Sequence, residues 1–230
     1  NSEDNIDISF ISLDLSSFES IKEFVKEWKK REKKLDILIN NAGVMMCPFS
    51  ETNEGLELQF GTNHVGHFLL TTLLLNDFCG DGRIINLSSL GHIAAPSNIN
   101  WEKYSKGKPN YNPTLSYAVS KLCNIYFTKE LQRRFKEYKK EGIISVSVHP
   151  GVVRTELVRH FNPLMLTIGY PLQWLFMKSA WRGSQTTVYC AITPKEELSP
   201  GSYYYDCDVG TPSNQAFDEN AAKELWKFTE

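Results

Sequence analysis

Short apolar runs typical of β-strands alternate along this chain with amphipathic runs typical of α-helices. The first strand is predicted from Ile6 to Leu13, where apolar and polar residues alternate, and the second from the short apolar run Leu35 to Ile39. The residues between them repeat apolar side chains every three or four positions, which predicts a helix. This alternation predicts an α/β fold, with a doubly wound, mostly parallel sheet covered by helices on both faces.

The remaining elements follow from the same patterns. No internal repeat or linker divides the 230 residues, so we expect a single domain over residues 1–230. Ser16 and Glu19 stand three residues apart before the first helical run and predict a capping box at its start. Further strands are predicted at Arg83–Leu87, Ile143–Val148 and Ser202–Asp206, and further helices at Glu54–Leu75, Leu115–Tyr138, Trp181–Ile192 and Glu219–Phe228.

Composition excludes several classes of protein. The 25 basic and 27 acidic residues leave a formal net charge of −2, which provides no basic field for nucleic acid. The five cysteines are odd in number and contain no C-x-x-C pair, so we expect reduced thiols. The five histidines form no metal-binding motif, and no metal site is predicted. Without a secretory signal in the sequence, we expect a protein that is not secreted and lies in the cytoplasm or on the cytosolic face of an internal membrane.

Tyr117 and Lys121 lie four residues apart on a predicted helix. Residues at this spacing share one face of a helix, so the ammonium can approach the phenol. A free phenol has a pKa near ~10 and is a poor acid–base catalyst at neutral pH, and a nearby positive charge lowers that pKa. The pair is weak evidence on its own, because most pairs at this spacing lie on an exposed helix surface.

Three predicted strands end in residues that suit a binding site. Asn86-Leu87-Ser88-Ser89 brings hydroxyls to one strand end, Asn40-Asn41-Ala42-Gly43 follows another, and His149-Pro150-Gly151 closes a third. Each run taken alone indicates only a turn. Ligands of open parallel sheets bind at the carboxyl ends of the strands, and all three runs come to that edge. A serine there can hold a substrate oxygen beside the tyrosine, and the small Ala-Gly pair lets a flat ligand approach the backbone.

In their order and spacing these runs resemble those of the short-chain dehydrogenase/reductase family, and within it the retinol-dehydrogenase-like branch. The resemblance covers nearly the whole chain and implies a Rossmann-like fold. It also implies an NAD(P)-dependent oxidoreductase that interconverts a lipophilic alcohol, such as a retinoid or steroid, and its aldehyde or ketone by hydride transfer. The matching runs are Leu13-Asp14-Leu15-Ser16-Ser17, Asn40-Asn41-Ala42-Gly43, Gly61-Thr62-Asn63-His64-Val65-Gly66-His67-Phe68, Asn86-Leu87-Ser88-Ser89, Tyr117-Ala118-Val119-Ser120-Lys121 and His149-Pro150-Gly151.

Roles for single residues come from the resemblance. It implies that Tyr117 is the general acid/base, and that Lys121 lowers the Tyr117 pKa and binds the nicotinamide ribose. It implies that Ser89 polarises the substrate oxygen and that Asn63 anchors a water in the proton relay. Family analogy favours NADP(H) over NAD(H) as the cofactor. The implied cofactor-binding residues are Asp14, Leu15, Asn41, Ala42, Gly43, Tyr117, Lys121, Pro150, Gly151, Val153 and Thr155.

The glycine-rich turn with which the family binds the pyrophosphate is not found in this sequence. We expect the chain to begin at the family's third strand, with a sheet truncated at its N-terminal strands and an exposed edge on the Leu35–Ile39 strand. A chain of these residues alone is expected to bind a dinucleotide weakly. An alternative function therefore stays open, namely an inactive form that acts as a binding or dimerisation partner. A nucleotide-sugar epimerase shares the tyrosine–lysine spacing but needs a larger C-terminal region.

Residues 156–180 are expected to form a substrate lid within the domain. Their segment Phe161–Met177 is strongly apolar and carries no formal charge. Three interpretations stay open: a flexible lid over a lipophilic substrate, a segment packed on its own core or in a homodimer contact, and a shallow peripheral contact with a membrane. The resemblance places homodimer contacts on the helices predicted at Glu54–Leu75 and Leu115–Tyr138.

Overall fold

A computed structural model describes residues 7–107, 110–154 and 177–230. Its strands form one five-stranded sheet in the order β1-β2-β3-β4-β5, in which the first four are parallel and β5 is antiparallel to β4. The predicted α/β class with a mostly parallel, Rossmann-like sheet is confirmed. The strands are β1 (Leu35–Asn40), β2 (Phe78–Leu87), β3 (Ile144–His149), β4 (Tyr203–Tyr205) and β5 (Asp208–Gly210).

The helices lie on both faces of this sheet. A π-helical turn at Gly61–Val65 interrupts the helix predicted at Glu54–Leu75, and a 3₁₀ turn at Leu90–Ala94 follows β2. The helices are α1 (Phe18–Lys29), α2 (Leu58–Phe60), α3 (Gly66–Leu74), α4 (Trp101–Lys106), α5 (Pro113–Arg134), α6 (Ala180–Ile192) and α7 (Glu219–Thr229).

Strand β2 shows how the sheet acquires a core on each face. Successive side chains of a strand point to opposite faces, and both Ile84 and Ile85 are fully buried. Ile84 belongs to the cluster that contains Phe127 of α5. Ile85 packs on the other face, with Cys190 of α6. Burial on both faces explains why this strand is a near-continuous apolar run in the sequence.

Helix α5 is buried along most of its length. The Asn112 side chain caps its first turn, and Pro113 occupies the start, where a missing N–H costs no helical hydrogen bond. Helix α7 packs nearby, with the Trp226 ring centre 4.8 Å from that of Phe68 and 5.9 Å from that of Phe127. Helix α7 therefore covers part of α3 and α5, where the resemblance places homodimer contacts, and the homodimer stays a prediction.

The strand predicted at Ile6–Leu13 is wrong for its described residues. Residues 7–14 belong to no strand, and Ile8 and Phe10 are 85% and 88% exposed. An extended segment becomes a stable strand only when a neighbouring strand pairs with its backbone and a core covers one face. No described strand lies beside these residues, and β1 is an edge strand of the described sheet.

The capping box predicted from Ser16 and Glu19 is wrong by one residue. Ser17 is the N-cap of α1, and its Oγ accepts a hydrogen bond from the Ser20 N–H. The Asp14 carboxylate accepts hydrogen bonds from both the N–H and the O–H of Ser16, at 2.8 and 2.7 Å. Ser16 is therefore already used in the turn before the helix, so the next serine becomes the cap.

The predictions on metals, membranes and the lid can be examined only where the chain is described. The described residues contain no helix long and apolar enough to cross a lipid bilayer, and no group of three or more potential metal-binding side chains. Location in the cytoplasm or on an internal membrane stays a prediction. Thr155 and most of the predicted lid, including its apolar segment up to residue 176, lie outside the described residues.

Candidate active site

Helix α5 brings Tyr117 and Lys121 into the interior near the end of β2. Both side chains are buried, Lys121 Nζ lies 5.8 Å from the centre of the Tyr117 ring, and it donates a hydrogen bond to the Leu87 carbonyl at 3.0 Å. Burial lowers the pKa of Lys121 to about 8, because the surroundings disfavour its charge. Burial raises the pKa of Tyr117, and the Ser89 hydroxyl opposes that rise. That Lys121 lowers the Tyr117 pKa stays a prediction.

Ser89 follows β2 directly and lies near Tyr117. Its Oγ accepts a hydrogen bond from the Gly91 N–H at 3.1 Å. Because this bond uses the oxygen as acceptor, the hydroxyl proton is left to donate to another oxygen. A Cβ added at Gly91 would lie 3.2 Å from Tyr117 Cε1 and 3.4 Å from Ser89 Oγ. Glycine at this position, which sequence reasoning missed, therefore keeps a side chain from crowding the serine hydroxyl and the tyrosine ring.

Asn63 lies in the π-helical turn between α2 and α3, a feature that is frequent at functional sites. Its Nδ2 donates to the Val44 carbonyl at 2.9 Å and to Ser120 Oγ at 3.0 Å, while its Oδ1 accepts from the Val44 N–H at 2.8 Å. A Cβ added at Gly43 would lie 2.8 Å from Asn63 Oδ1 and 3.7 Å from Lys121 Nζ. Asn63 thus ties the loop after β1 to α5, next to Lys121.

The backbone carbonyl of Asn63 also has a partner. His67 Nδ1 lies 3.0 Å from this oxygen, and because a carbonyl can only accept, Nδ1 carries the proton and donates it. Burial lowers the pKa of His67 to about 4, so the ring is neutral at physiological pH. The water that the resemblance assigns to Asn63 stays a prediction.

Comparison with known proteins places this geometry in a family. A family model described as short chain dehydrogenase matches residues 1–164. The chain belongs to the short-chain dehydrogenase family. Retinol dehydrogenase 11 of Homo sapiens is 44% identical over 222 residues, which cover 93% of this chain and 65% of that protein. The predicted resemblance to the retinol-dehydrogenase-like branch of the short-chain dehydrogenase family is confirmed.

Two further proteins extend the comparison. The short-chain dehydrogenase TIC 32 A, chloroplastic, of Brassica napus is 39% identical over 234 residues, which cover 98% of this chain and 72% of that protein. A crystal structure of an uncharacterized protein from Mycobacterium paratuberculosis has a TM-score of 0.74 at 32% identity, covering 95% of this chain and 72% of the other. The chain thus spans about two thirds of the length of the proteins that it resembles.

The residues at the carboxyl ends of the strands are suited to binding the dinucleotide cofactor of the short-chain dehydrogenase family. Asn41 and Ala42 are exposed directly after β1. Within the described part of the chain, Lys121 Nζ makes one hydrogen bond, to the Leu87 carbonyl, so two of its three N–H donors are left for a ligand. An ammonium group with two unused N–H donors beside the loop after β1 is suited to donating hydrogen bonds to the hydroxyls of a ribose.

Of the two residues before α1 that the resemblance also assigns to the cofactor, Asp14 and Leu15, the second packs against α3. Leu15 is buried, and its carbonyl oxygen would lie 2.4 Å from a Cβ added at Gly66, so only glycine allows this approach. Asp14 is exposed, and the oxygen that accepts from Ser16 leaves further acceptor positions on its carboxylate. Asp14 can therefore also accept a hydrogen bond from a ligand, and its role stays a prediction.

The end of β3 carries the remaining predicted cofactor residues. Pro150 follows the strand, and Gly151 has a φ of +88°, in the left-handed region that favours glycine. Val153 forms a parallel bridge with Lys178, which joins the two described segments on either side of residues 155–176. Thr155 lies outside the described residues, so the structure places Pro150, Gly151 and Val153 but not Thr155.

Two asparagines in the family's matching runs have a structural role. Asn40 Nδ2 donates to Thr71 Oγ1 at 2.9 Å and to Asn86 Oδ1 at 2.8 Å. Asn86 Nδ2 donates in turn to Thr128 Oγ1 at 2.9 Å. Both asparagines are buried, so their bonds tie the ends of β1 and β2 to the helices on one face of the sheet.

A second group of polar contacts, which sequence reasoning missed, holds the loop after Gly43. Gln59 Nε2 donates to the Tyr111 hydroxyl at 2.7 Å, and its Oε1 accepts from the Met46 N–H at 2.7 Å. The Tyr111 hydroxyl donates to the Cys47 carbonyl at 2.9 Å. Gln59 and Tyr111 are 52 positions apart in the chain, so no spacing pattern could have indicated that they meet.

Proposed function

We propose that this protein is an NAD(P)(H)-dependent oxidoreductase that interconverts a lipophilic alcohol and its aldehyde or ketone. The observation that supports it most is that the side chains of Ser89 and Tyr117 both lie close to Gly91, with Lys121 one helical turn further along α5. The human relative is named a retinol dehydrogenase, and this chain spans 65% of its length. The proposal therefore concerns the whole natural protein that carries this sequence.

The chain's own residues supply the proton chemistry of this reaction. During reduction, the Tyr117 phenol passes its proton to the carbonyl oxygen of the substrate, and the Ser89 hydroxyl donates a hydrogen bond to the same oxygen. During oxidation, the phenolate accepts the proton of the alcohol. Lys121, with a pKa of about 8, is mostly charged at neutral pH and favours the phenolate. The bound cofactor supplies or accepts the hydride.

The surroundings of Ser89 favour a lipophilic substrate. Leu90 and Ile93, in the turn that follows Ser89, are 52% and 54% exposed. Apolar side chains that stay in contact with water beside a reactive hydroxyl gain free energy when an apolar ligand covers them. A retinoid, a steroid or an aliphatic aldehyde would do so. We expect kcat/KM to rise along a series of aldehydes from three to ten carbons, and a flat profile would count against this substrate class.

Between the two nicotinamide dinucleotides we propose NADP(H), from analogy with the retinol-dehydrogenase-like branch. Initial rates with NADPH and NADH at equal subsaturating concentrations test this choice. A higher rate with NADPH supports it, and a higher rate with NADH would reverse it without affecting the proposed reaction.

Substitution of Tyr117 tests the proposed reaction directly. The natural full-length protein and its Tyr117→Phe variant are assayed with NADPH and a long-chain aldehyde. We expect the variant to lose about 10²- to 10⁴-fold in kcat, the usual contribution of an acid–base group. Tyr126→Phe is the matched control, because Tyr126 is a buried tyrosine of the same helix whose hydroxyl donates to the Gln215 carbonyl at 2.8 Å.

The control should keep the wild-type kcat. A Tyr117→Phe variant that retains most of its kcat would exclude the assigned role of the phenol. A wild-type protein without activity toward any alcohol or carbonyl would favour the alternative of an inactive binding partner.

A further inference from the structure

The peptide group that joins Ser89 to Leu90 is hydrogen-bonded to a histidine at each of its polar atoms. His92 Nδ1 lies 2.6 Å from the Ser89 carbonyl oxygen. The Leu90 N–H donates to His149 Nδ1, with 3.2 Å between the two nitrogen atoms. One peptide therefore has a histidine at its oxygen and a second histidine at its nitrogen. It is the first peptide after the residue that we propose to bind the substrate oxygen.

The partners of the two rings determine their tautomers. A backbone N–H can only donate, and the Ser213 N–H donates to His92 Nε2 at 2.9 Å. The proton of a neutral His92 therefore lies on Nδ1 and is donated to the Ser89 carbonyl. His149 accepts at Nδ1, so its proton lies on Nε2. Backbone groups occupy both nitrogens of His92, which suits a residue that holds the chain rather than one that exchanges protons.

The position of this peptide in the sheet explains why it needs side-chain partners. Strands β2 and β3 pair regularly as far as Leu87 and Val148, and the Ser88 N–H then donates to the Val148 carbonyl at 2.8 Å. At the following peptide the chain enters the 3₁₀ turn and regular pairing stops. His149 is the residue after Val148, so its imidazole provides a hydrogen bond where the backbone pairing ends.

Charge and burial keep both rings in the neutral state that these bonds require. Both side chains are buried. Burial lowers the pKa of His92, and it lowers that of His149 to about 4, with smaller contributions from the charge of Lys178 and from the repulsion that a protonated His92 would exert. Asp206, which forms an ion pair with Lys178, acts in the opposite direction. At physiological pH, His149 Nδ1 therefore remains available as an acceptor.

We propose that His92 and His149 are positioning residues that hold the Ser89–Leu90 peptide and thereby direct the Ser89 hydroxyl toward the substrate oxygen beside Tyr117. The inference rests on the proposed function, because that function gives Ser89 a substrate to bind. The Ser89 carbonyl also accepts a hydrogen bond from the backbone N–H of His92 at 3.1 Å, which no side-chain substitution removes. Loss of a side-chain bond therefore leaves the peptide with fewer restraints, and we expect it to displace Ser89 Oγ. A displacement of about 1 Å in a reacting group can cost about 10²-fold in rate.

Two substitutions of His149 separate its hydrogen bond from its bulk. Asparagine places an acceptor oxygen close to the position of the imidazole Nδ1, whereas leucine fills similar space with no acceptor. We expect His149→Leu to lower kcat about 10- to 100-fold and His149→Asn to restore it to within about threefold of wild type. The KM for NADPH should stay within about twofold in both variants, because the Ser89 hydroxyl acts on the substrate oxygen.

Two substitutions of His92 separate its two hydrogen bonds. Asparagine can place an N–H near the position of Nδ1 and keep the bond to the Ser89 carbonyl, while it loses the bond from Ser213. Glutamine can place an acceptor near the position of Nε2 and keep the Ser213 bond, while it loses the bond to Ser89. Each variant loses one hydrogen bond, so similar decreases in Tm are expected. Only His92→Gln should lose about tenfold or more in kcat.

The outcomes of these substitutions decide the proposal. Equal kcat losses in the asparagine and leucine variants of His149, or in the asparagine and glutamine variants of His92, would show a merely structural role and overturn it. Inactivity of the wild-type protein would instead refute the proposed function. Hydrogen exchange of the Leu90 amide then tests the hydrogen bond to His149 directly. Slow exchange in wild type and in His149→Asn, together with fast exchange in His149→Leu, supports this bond. Equally fast exchange in all three proteins overturns it.

Discussion

The two halves of the candidate site are held in place by different kinds of contact. Tyr117 and Lys121 share one buried helix, so their separation follows from helix geometry and from the core around α5. Ser89 lies where a strand becomes a turn, and its peptide donates a hydrogen bond to His149 and accepts one from the His92 side chain. The comparison teaches that core packing positions the helix half, whereas a few hydrogen bonds to one peptide position the turn half.

The largest effect is expected from Lys121→Met, which removes the chemistry of the helix half without loosening the helix. We expect kcat/KM to fall about 10²- to 10⁴-fold. The free energy of unfolding should stay unchanged or rise, because a buried ammonium is costly and the Leu87 carbonyl keeps a hydrogen bond from Asn124 Nδ2 at 3.0 Å. Steady-state kinetics and urea unfolding measure the two effects.

Lys129→Met is the matched control for that substitution. Lys129 lies on the same helix, and its Nζ donates to the Ala216 carbonyl at 2.7 Å, away from Tyr117. Its kcat/KM should equal that of wild type. A loss in the control as large as that in Lys121→Met would show that both lysines act through the helix as a whole.

A smaller loss is expected from Asn63→Ala, which disconnects the loop after β1 from the helix half. Three hydrogen bonds of a buried side chain disappear, so the free energy of unfolding should fall by about 2–4 kcal/mol. We expect kcat/KM to fall about 10- to 100-fold because the loop beside Lys121 moves. Asn40→Ala loses two buried hydrogen bonds outside the site and should lower stability with little change in kcat. Equal losses of activity in the Asn63→Ala and Asn40→Ala variants would refute the idea that Asn63 acts on the site and Asn40 only on stability.

Acid should destabilise the folded protein through buried histidines around the site. Burial lowers the pKa of His64 to about 3 and is the main cause that lowers those of His67 and His149 to about 4. These pKa values are near ~6.5 in the unfolded chain, which therefore binds more protons than the folded chain between pH 6.5 and about 4. The free energy of unfolding should fall as the pH falls through this window.

Urea unfolding at several pH values measures that slope and separates the contribution of His149. His64 and His67 lie in the π-helical turn and in α3, where the His64 ring contacts Phe127 of α5, and His149 belongs to the turn half. His149→Asn cannot titrate, so its slope should correspond to about one proton fewer than that of wild type, a difference of about 1.4 kcal/mol per pH unit. Identical slopes would mean that His149 is not held neutral by its surroundings.

The smallest effect is expected from Gly91→Ala, which adds a methyl group close to both Ser89 and Tyr117. Its Cβ would lie 3.2 Å from Tyr117 Cε1, a distance that crowds the ring without blocking it. We expect kcat/KM to fall about fivefold, equivalent to about 1 kcal/mol of crowding. Gly80→Ala is the control, since nothing lies within 4 Å of a Cβ at that position. A fully active Gly91→Ala variant would show that the substrate does not use this space.

Local patterns predicted much of the fold and the helix half of the site. The i, i+4 spacing predicted that Tyr117 and Lys121 share one helix face, although it did not predict that this helix is buried, and the helix predicted at Trp181–Ile192 is observed at Ala180–Ile192. Strand pairing was harder to predict. The alternation at Ile6–Leu13 has the pattern of a strand, yet its described residues are unpaired, because a strand also requires a neighbour that local sequence does not show.

By itself, the sequence determined the sheet class, the family and the residue types at the strand ends, because these depend on residues close together in the chain. Only the tertiary structure decided that Gly91 lies close to both Ser89 Oγ and the Tyr117 ring, and that Ser213 fixes the tautomer of His92. The physical reason is the range of the contact. A hydrogen bond between residues 121 positions apart leaves no periodicity or spacing in the sequence, and it becomes visible only when folding brings the two groups together.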